Sequence, residues 1–148
     1  MTISLIPVTK ENYETVCDLD VTQEQQDYVA SNMWSLVEAS FNEGYETRAI
    51  SSAGEIVGFI MWVKESPQKV SIWRFMVDQH HQRAGIGRRA LELTIADIKQ
   101  LNGLTEIEIC YNPNNPVAKA FYSGFGFVEV GMDDDDEDML AVITIDKV

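Results

Sequence analysis

Eight consecutive residues near the middle of the chain, Ile56-Val57-Gly58-Phe59-Ile60-Met61-Trp62-Val63, carry no charge at all. The run is far shorter than the roughly 20 apolar residues a membrane helix needs. Its β-branched and aromatic residues, and the absence of polar alternation, predict a strand buried on both faces. A strand of that kind needs a covering layer on each side. It therefore points to an α/β domain with helices flanking one sheet.

The flanking sequence supplies those layers. Ile3-Ser4-Leu5-Ile6-Pro7-Val8 reads as a first strand. Thr9 is placed to cap a helix from Lys10 to about Leu19, and Thr22 to cap a second. Val29, Met33, Leu36, Val37 and Phe41 recur at helical spacing and predict the buried face of that second helix, with Gly44 ending it. Tyr45–Ser51 is a strand, Ser52-Ala53-Gly54-Glu55 a tight turn and 65–68 another turn. Lys69–Asp78 is the next strand, Arg88–Leu101 a strong helix and Thr105–Tyr111 a strand with clean alternation. Pro116 suits the first position of a short helix through Tyr122. Residues 127–130 and 139–145 read as closing strands. The expected order is β-α-α-β-β-β-α-β-α-β-β over a single domain, residues 1–148, with a mixed, mostly antiparallel sheet.

Charge narrows the partners. The formal net charge is −13, which argues against nucleic acid, since phosphate binding needs a basic surface. Residues 1–46 carry nine acids and one base, 47–100 five acids and eight bases, and 101–148 ten acids and two bases. A basic middle between acidic flanks suits an anionic ligand held centrally and a cationic one arriving from outside. No secretory signal is visible at the N-terminus. Cys17 and Cys110 form neither a disulfide framework nor a metal pattern. They read as two buried thiols in a reducing compartment, with the cytoplasm as the expected location. No metal and no membrane association are expected.

Two segments carry chemistry. Gln82-Arg83-Ala84-Gly85-Ile86-Gly87-Arg88 lies between a strand and a helix. Its glycines let backbone approach a ligand closely, and the first N–H groups of the following helix favour a phosphate. It is not a Walker loop, because no Gly-Lys-Ser/Thr follows. A Rossmann start is a competitor, but one placed late in a chain this short. The second segment is Asn115-Pro116-x-Ala118-x-x-Phe121-Tyr122-x-x-x-Gly126-Phe127.

Together the two segments resemble the GNAT superfamily of N-acetyltransferases, and the element order extends the resemblance over nearly the whole chain. The resemblance implies acetyl-CoA as cosubstrate, lying in a splay between the strand ending near Val77 and the strand 105–111. It implies that Met76 and Val77 face the pantetheine arm and the acetyl group. Gln82, Arg83, Ala84, Gly85, Ile86, Gly87 and Arg88 would hold the pyrophosphate, and Asn115 would touch the pantetheine. Tyr122 would be the general acid that protonates the leaving thiolate, a role that contributes about 10²–10⁴-fold. A backbone N–H near Val77 would stabilise the oxyanion. For the base, Glu24, Asp27, Glu38, Glu108, His80 and His81 stay open as candidates.

Residues 26–39, together with Arg74-Phe75-Met76-Val77-Asp78, resemble the bacterial spermine/spermidine acetyltransferase branch. That implies a polyamine such as spermidine or spermine as acceptor, with Glu24, Asp27, Glu38, Tyr28 and Trp34 offering carboxylates and aromatic surface. Mammalian polyamine acetyltransferases carry acids on the strand before the pyrophosphate loop, where this chain has Trp73-Arg74. The alternatives are another amine acceptor (a protein N-terminus, an amino acid, an aminoglycoside) or a non-catalytic acetyl-CoA-binding module. The run Asp133–Asp138 reads as a solvated hairpin turn, with a cation-steering lip as the other reading. Dimerisation through the closing strands is compatible with a domain of this size.

Overall fold

In the computed structural model the described residues are 2–21, 31–82, 85–115 and 117–145. Their elements follow the order β1 (Ile3–Ile6), α1 (Tyr13–Asp18), α2 (Asn32–Ser40), β2 (Tyr45–Ser52), β3 (Glu55–Ser66), β4 (Lys69–Val77), α3 (Ile86–Ile98), β5 (Glu106–Tyr111), α4 (Ala118–Ser123), β6 (Val128–Met132) and β7 (Met139–Thr144). A short 3-10 turn, Gln79–His81, follows β4. The seven strands form one sheet in the order β1-β2-β3-β4-β5-β7-β6. Every pairing is antiparallel except β4 with β5, which is parallel.

β3 is the axis. Ile60 and Trp62 pack with Leu91, Ile95 and Ile98 of α3 on one face. Phe59 and Met61 share a cluster with Val16 of α1 and, at its margin, Leu36 of α2 on the other. The uncharged run thus has a covering layer on each side, as its composition requires. The turn into β3 is tight: Ala53 and Gly54 both take positive φ, 50° and 88°, the two-residue hairpin geometry that matches strand twist.

Several boundaries differ from expectation. β3 continues to Ser66, because Lys64 and Ser66 keep pairing with Val70 and Lys69; only Pro67 and Gln68 are left to turn. α1 begins at Tyr13 rather than Lys10. The Asn12 side chain accepts from the Thr9 N–H at 2.7 Å and donates to the Pro7 carbonyl at 3.0 Å, so residues 9–12 form a turn. The expected Thr22 cap lies outside the described residues. Ser31 caps α2, accepting from the Trp34 N–H at 3.1 Å.

The expected face of α2 is met only in part. Leu36 packs inward and Val29 lies outside the described residues, but Met33, Val37 and Phe41 are exposed, while Asn32 and Ser35 are buried. The Asn32 amide donates to the Val16 carbonyl at 2.9 Å, and Ser35 bonds the Ser31 carbonyl at 3.2 Å. Those partners remove the cost of burying polar groups. The two cysteines are free and half-buried rather than buried.

Of the described glycines, Gly58 leaves the least room for a side chain. A Cβ there would stand 2.6 Å from the Met76 carbonyl oxygen and 2.9 Å from Ile50 Cδ1. Gly58→Ala is expected to cost about 1–3 kcal/mol, the range for overpacking a fixed site, and urea unfolding measures it. An unchanged midpoint would mean that β3 and β4 can slide apart freely.

Candidate active site

The site begins with a fault in a strand ladder. β5 pairs with β4 only from Lys69–Glu106 to Ile72–Ile109. β4 runs on to Val77 with β3 as its partner, and its register shifts: Ile72 sits opposite Trp62, Arg74 opposite Met61. Trp73 is the extra residue of a β-bulge, which bends the strand and adds twist. Beyond it the backbone of Trp73–Val77 has no strand on its β5 side. Peptide N–H and C=O groups left this way are available to an extended amide ligand.

Local contacts fix the bulge. The Trp73 ring meets Tyr45 edge-on, with centroids 5.4 Å apart. Arg74 Nη1 donates to the Trp73 carbonyl at 2.9 Å. Arg74 Nη2 stands 3.7 Å from Glu38 Oε1 on α2. Trp34, expected at the acceptor, is 66% exposed on the solvent side of α2 and does not line the cleft. Glu24, Asp27 and Tyr28 lie outside the described residues, as do Arg83 and Ala84.

The fault opens a cleft of about 250 Å³. One wall is β4 from Ile72 to Met76, the other the end of β5 with Asn112, Asn115, Ala118 and Tyr122. Asn32, Cys110 and Asp138 complete the lining. Asn115 does two things here. Its side-chain oxygen accepts from the Val117 and Ala118 N–H groups at 3.1 and 3.3 Å, which starts α4, while the residue itself faces the cleft. Met76 is nearly buried, and its sulfur takes the Asn32 amide at 3.5 Å.

α4 is only six residues long, so tertiary contacts must hold it. Tyr122 stacks on Tyr111 with centroids 5.5 Å apart and meets Phe121 and Phe127 edge-on. The Tyr111 hydroxyl donates to Glu129 at 2.7 Å, and Glu129 pairs with Lys119 at 3.2 Å. Strand β5, helix α4 and strand β6 are thereby tied around the tyrosine. Burial pushes the Tyr122 hydroxyl well above its ordinary pKa, and Cys110 and Tyr111 push the same way. At neutral pH it is a phenol, a donor rather than a base. Among the described residues its hydroxyl has no hydrogen-bond partner. Burial also pushes the Cys110 thiol up to about 11, with Asp138 adding to the effect.

At the other end of β4, the Gln82 amide donates to the Val77 carbonyl at 2.8 Å. Gly85 caps α3 with φ 79°, a left-handed conformation that favours glycine. The first N–H groups of this 13-residue helix have no intrahelical acceptor and can meet an anion. Ile86 contributes only its backbone, since its side chain is buried with Ile50, Val57 and Ala90. A Cβ at Gly87 would meet Val77, Phe75 and Phe121 at 3.6–3.8 Å, ordinary contact, so that position is open rather than crowded. Arg88 lies over the Phe125 ring at 5.3 Å and 3.6 Å from Glu92. An extended ligand with a pyrophosphate at one end thus finds matching groups: a bare strand edge and a glycine-capped helix start.

The candidate bases are dispersed. Glu108 is bound by Lys69 at 2.9 Å and by Ser71 at 3.3 Å. His81 lies between Asp78, at 3.3 Å, and Glu55, at 3.4 Å, and neither it nor His80 lines the cleft. The sequence offers Asp138 only as one member of the acidic run 133–138, a solvated turn or a cation-steering lip, whereas it lines the cleft. The register of Met139 with Tyr111 carries the signal: the residue before β7 must arrive beside the end of β5. Among the described residues no three potential ligands are grouped to hold a metal, and no helix is long and apolar enough to cross a membrane.

The family profile described as "Acetyltransferase (GNAT) family" matches residues 12–127. The chain belongs to that family. It is an acetyltransferase with the GNAT fold. It is 30% identical over 134 residues to a Bacillus subtilis subsp. natto protein named "Probable spermine N(1)-acetyltransferase", spanning 86% of this chain and 88% of that one. The spermidine N-acetyltransferase of Vibrio cholerae, solved with CoA and spermine, superposes with a TM-score of 0.78 at 14% identity, covering 96% of this chain and 95% of that one. The PaiA N-acetyltransferase of Thermoplasma acidophilum, solved with coenzyme A, gives 0.74 at 17% identity, covering 98% of this chain and all of that one.

Asp78, at the foot of β4, holds the start of the glycine loop. Burial works against its carboxylate. Hydrogen bonds from the Asp20 and His80 N–H groups, at 2.9 and 3.2 Å, and from His81 outweigh burial and lower its pKa. A depressed folded pKa stabilises the fold above the unfolded value of about 3.9, and the gain is lost as pH falls through the folded value. Asp78→Asn is therefore expected to cost about 1–3 kcal/mol at pH 7 and to flatten the loss of stability below pH ~4. Urea unfolding across that range would show it. An unaltered acid limb would mean these bonds do not hold the loop.

Proposed function

We propose that this acetyltransferase uses acetyl-CoA and passes the acetyl group directly to a primary amine, a polyamine such as spermidine or spermine. The cleft at the β4–β5 fault carries the reading. A bare strand edge and an unpartnered tyrosine hydroxyl border it, and the same strand leads on to the glycine-capped start of α3. The spermine acetyltransferase name of the Bacillus relative supports the acceptor class, as does a net charge that draws in polycations.

The coenzyme supplies a thioester whose carbonyl carbon an amine can attack. The attacking amine gives up its proton to solvent water, and the chain's own groups hold the coenzyme, stabilise the developing charge and reprotonate the sulfur. Backbone between Met76 and Val77 lies along the acyl arm, and an N–H there faces the charge that develops on the carbonyl oxygen. Gln82 holds the Val77 carbonyl, which fixes the last turn of that edge. The loop 82–88 and the start of α3 bind the pyrophosphate, with Arg83 and Arg88 adding charge. Asn115 borders the arm from the opposite wall. Tyr122 keeps its proton in the resting cleft because burial disfavours the phenolate, and its hydroxyl gives that proton to the departing sulfur. Contacts with Phe121, Phe127 and Tyr111 hold the ring in place at the wall of the cleft.

Thiol release from acetyl-CoA, with spermidine, spermine and other amines as acceptors, tests the reading. Release stimulated by polyamines is expected, and release with only a different amine would remove the polyamine assignment. Tyr122→Phe is expected to lower kcat by about 10²-fold or more while leaving the Kd for coenzyme A nearly unchanged. Undiminished turnover would remove it as the acid.

A further inference from the structure

The acidic side chains near the cleft divide sharply once their partners are counted. Glu38 faces Arg74 at 3.7 Å. Glu108 is held by Lys69 and Ser71. Asp78 accepts from Asp20, His80 and His81. Glu129 is shared by Tyr111 and Lys119. Each of these carboxylates has a partner within the fold, although Glu38 Oε1 accepts no hydrogen bond.

Asp138 is different. Among the described residues it is the one acidic side chain that lines the cleft, which it shares with Met76, Cys110 and Tyr122. Its carboxylate has no ion pair within 4 Å and no side-chain hydrogen bond among those residues. Its backbone, in contrast, is tightly held. The Asp138 carbonyl accepts from the Asp133 N–H at 2.8 Å, and its N–H donates to Asp133 Oδ1 at 3.2 Å. Asp133 Oδ1 also takes the Glu137 N–H at 2.9 Å. Asp136 makes the turn with φ 57°. The hairpin is thus an ordered loop that turns Asp133 and Asp138 partly inward and leaves residues 134–137 exposed.

A half-buried carboxylate at the wall of a reaction cleft, on a held backbone and with no ion pair within 4 Å, is costly unless a cation arrives to pair with it. Arg74, the cationic side chain lining the cleft, is already engaged by Glu38 and the Trp73 carbonyl. Burial and Asp133 raise the Asp138 pKa and Arg74 opposes them, so an incoming ammonium would relieve an unfavourable charge.

We propose that Asp138 is the carboxylate that receives the cationic end of the acceptor amine and so sets the enzyme's preference for charged acceptors. This rests on the acetyl-transfer reading above. Asp138 fixes where the ammonium stands relative to Tyr122 and the β4 edge, and it acts before the chemical step.

The test is steady-state kinetics with whichever amine the wild-type protein acetylates best. Asp138→Asn is expected to raise the acceptor KM about 10–100-fold, the loss of a charged hydrogen bond, with the acetyl-CoA KM unchanged. Asp138→Glu should recover much of that loss by restoring the charge. Asp135→Asn, on the exposed side of the same loop, should leave the KM as it was. An unchanged acceptor KM in Asp138→Asn would overturn the proposal, and so would an equal rise in Asp135→Asn, which would mean a diffuse acidic field. Absence of turnover by the wild-type protein with any amine, established before a variant is made, would remove the acetyl-transfer reading, and this assignment with it.

Discussion

The site depends on one broken pairing. β4 and β5 run parallel for four residues and then part, because Trp73 is inserted where Ile72 and Arg74 take consecutive partners on β3. If the ladder had continued, backbone hydrogen bonds would have closed the space that is now a cleft. Side chains defend the fault from both directions. Tyr45 and the Arg74–Glu38 pair hold the bulge from the α2 side. Tyr111, Tyr122 and Phe127 fill the angle from the α4 side. An aromatic stack there does what a continuing strand would have done for stability, and it also presents a hydroxyl to the space it borders.

The sequence made the layers and the loop legible and hid the fault. The apolar run around Phe59 and Ile60 could only be a strand covered on both sides, and Gly85 sits where a helix start needs positive φ. Both signals are local. Met33, Leu36, Val37 and Phe41 share the helical spacing of a buried face, yet of these only Leu36 packs inward, and burial went to Asn32 and Ser35, whose polar groups found carbonyl partners. Periodicity records apolar positions, not which hydrogen bonds a neighbouring element will offer. The bulge at Trp73 had no local signature at all, being a property of register between two strands.

The roles of the acidic residues were the least legible part. Glu38 and Glu108 looked as available as any carboxylate in the sequence. Their partners, Arg74 and Lys69, come from strand β4, 36 positions later than Glu38 and 39 earlier than Glu108. Asp138 looked like one more member of a solvated run. Its difference from residues 134–137 comes from the turn that Asp133 organises and from the β7 register that follows.

The strand order also bears on how this enzyme is made. β7 lies between β5 and β6, although it is the last of the three to leave the ribosome. Until it enters that slot, β6 has no neighbour and β5 has a bare edge beside the tyrosine stack. A nascent chain that has already built both helical layers therefore still presents an open strand edge to other chains. Slow synthesis of the segment between β6 and β7 is the condition that keeps this edge open longest.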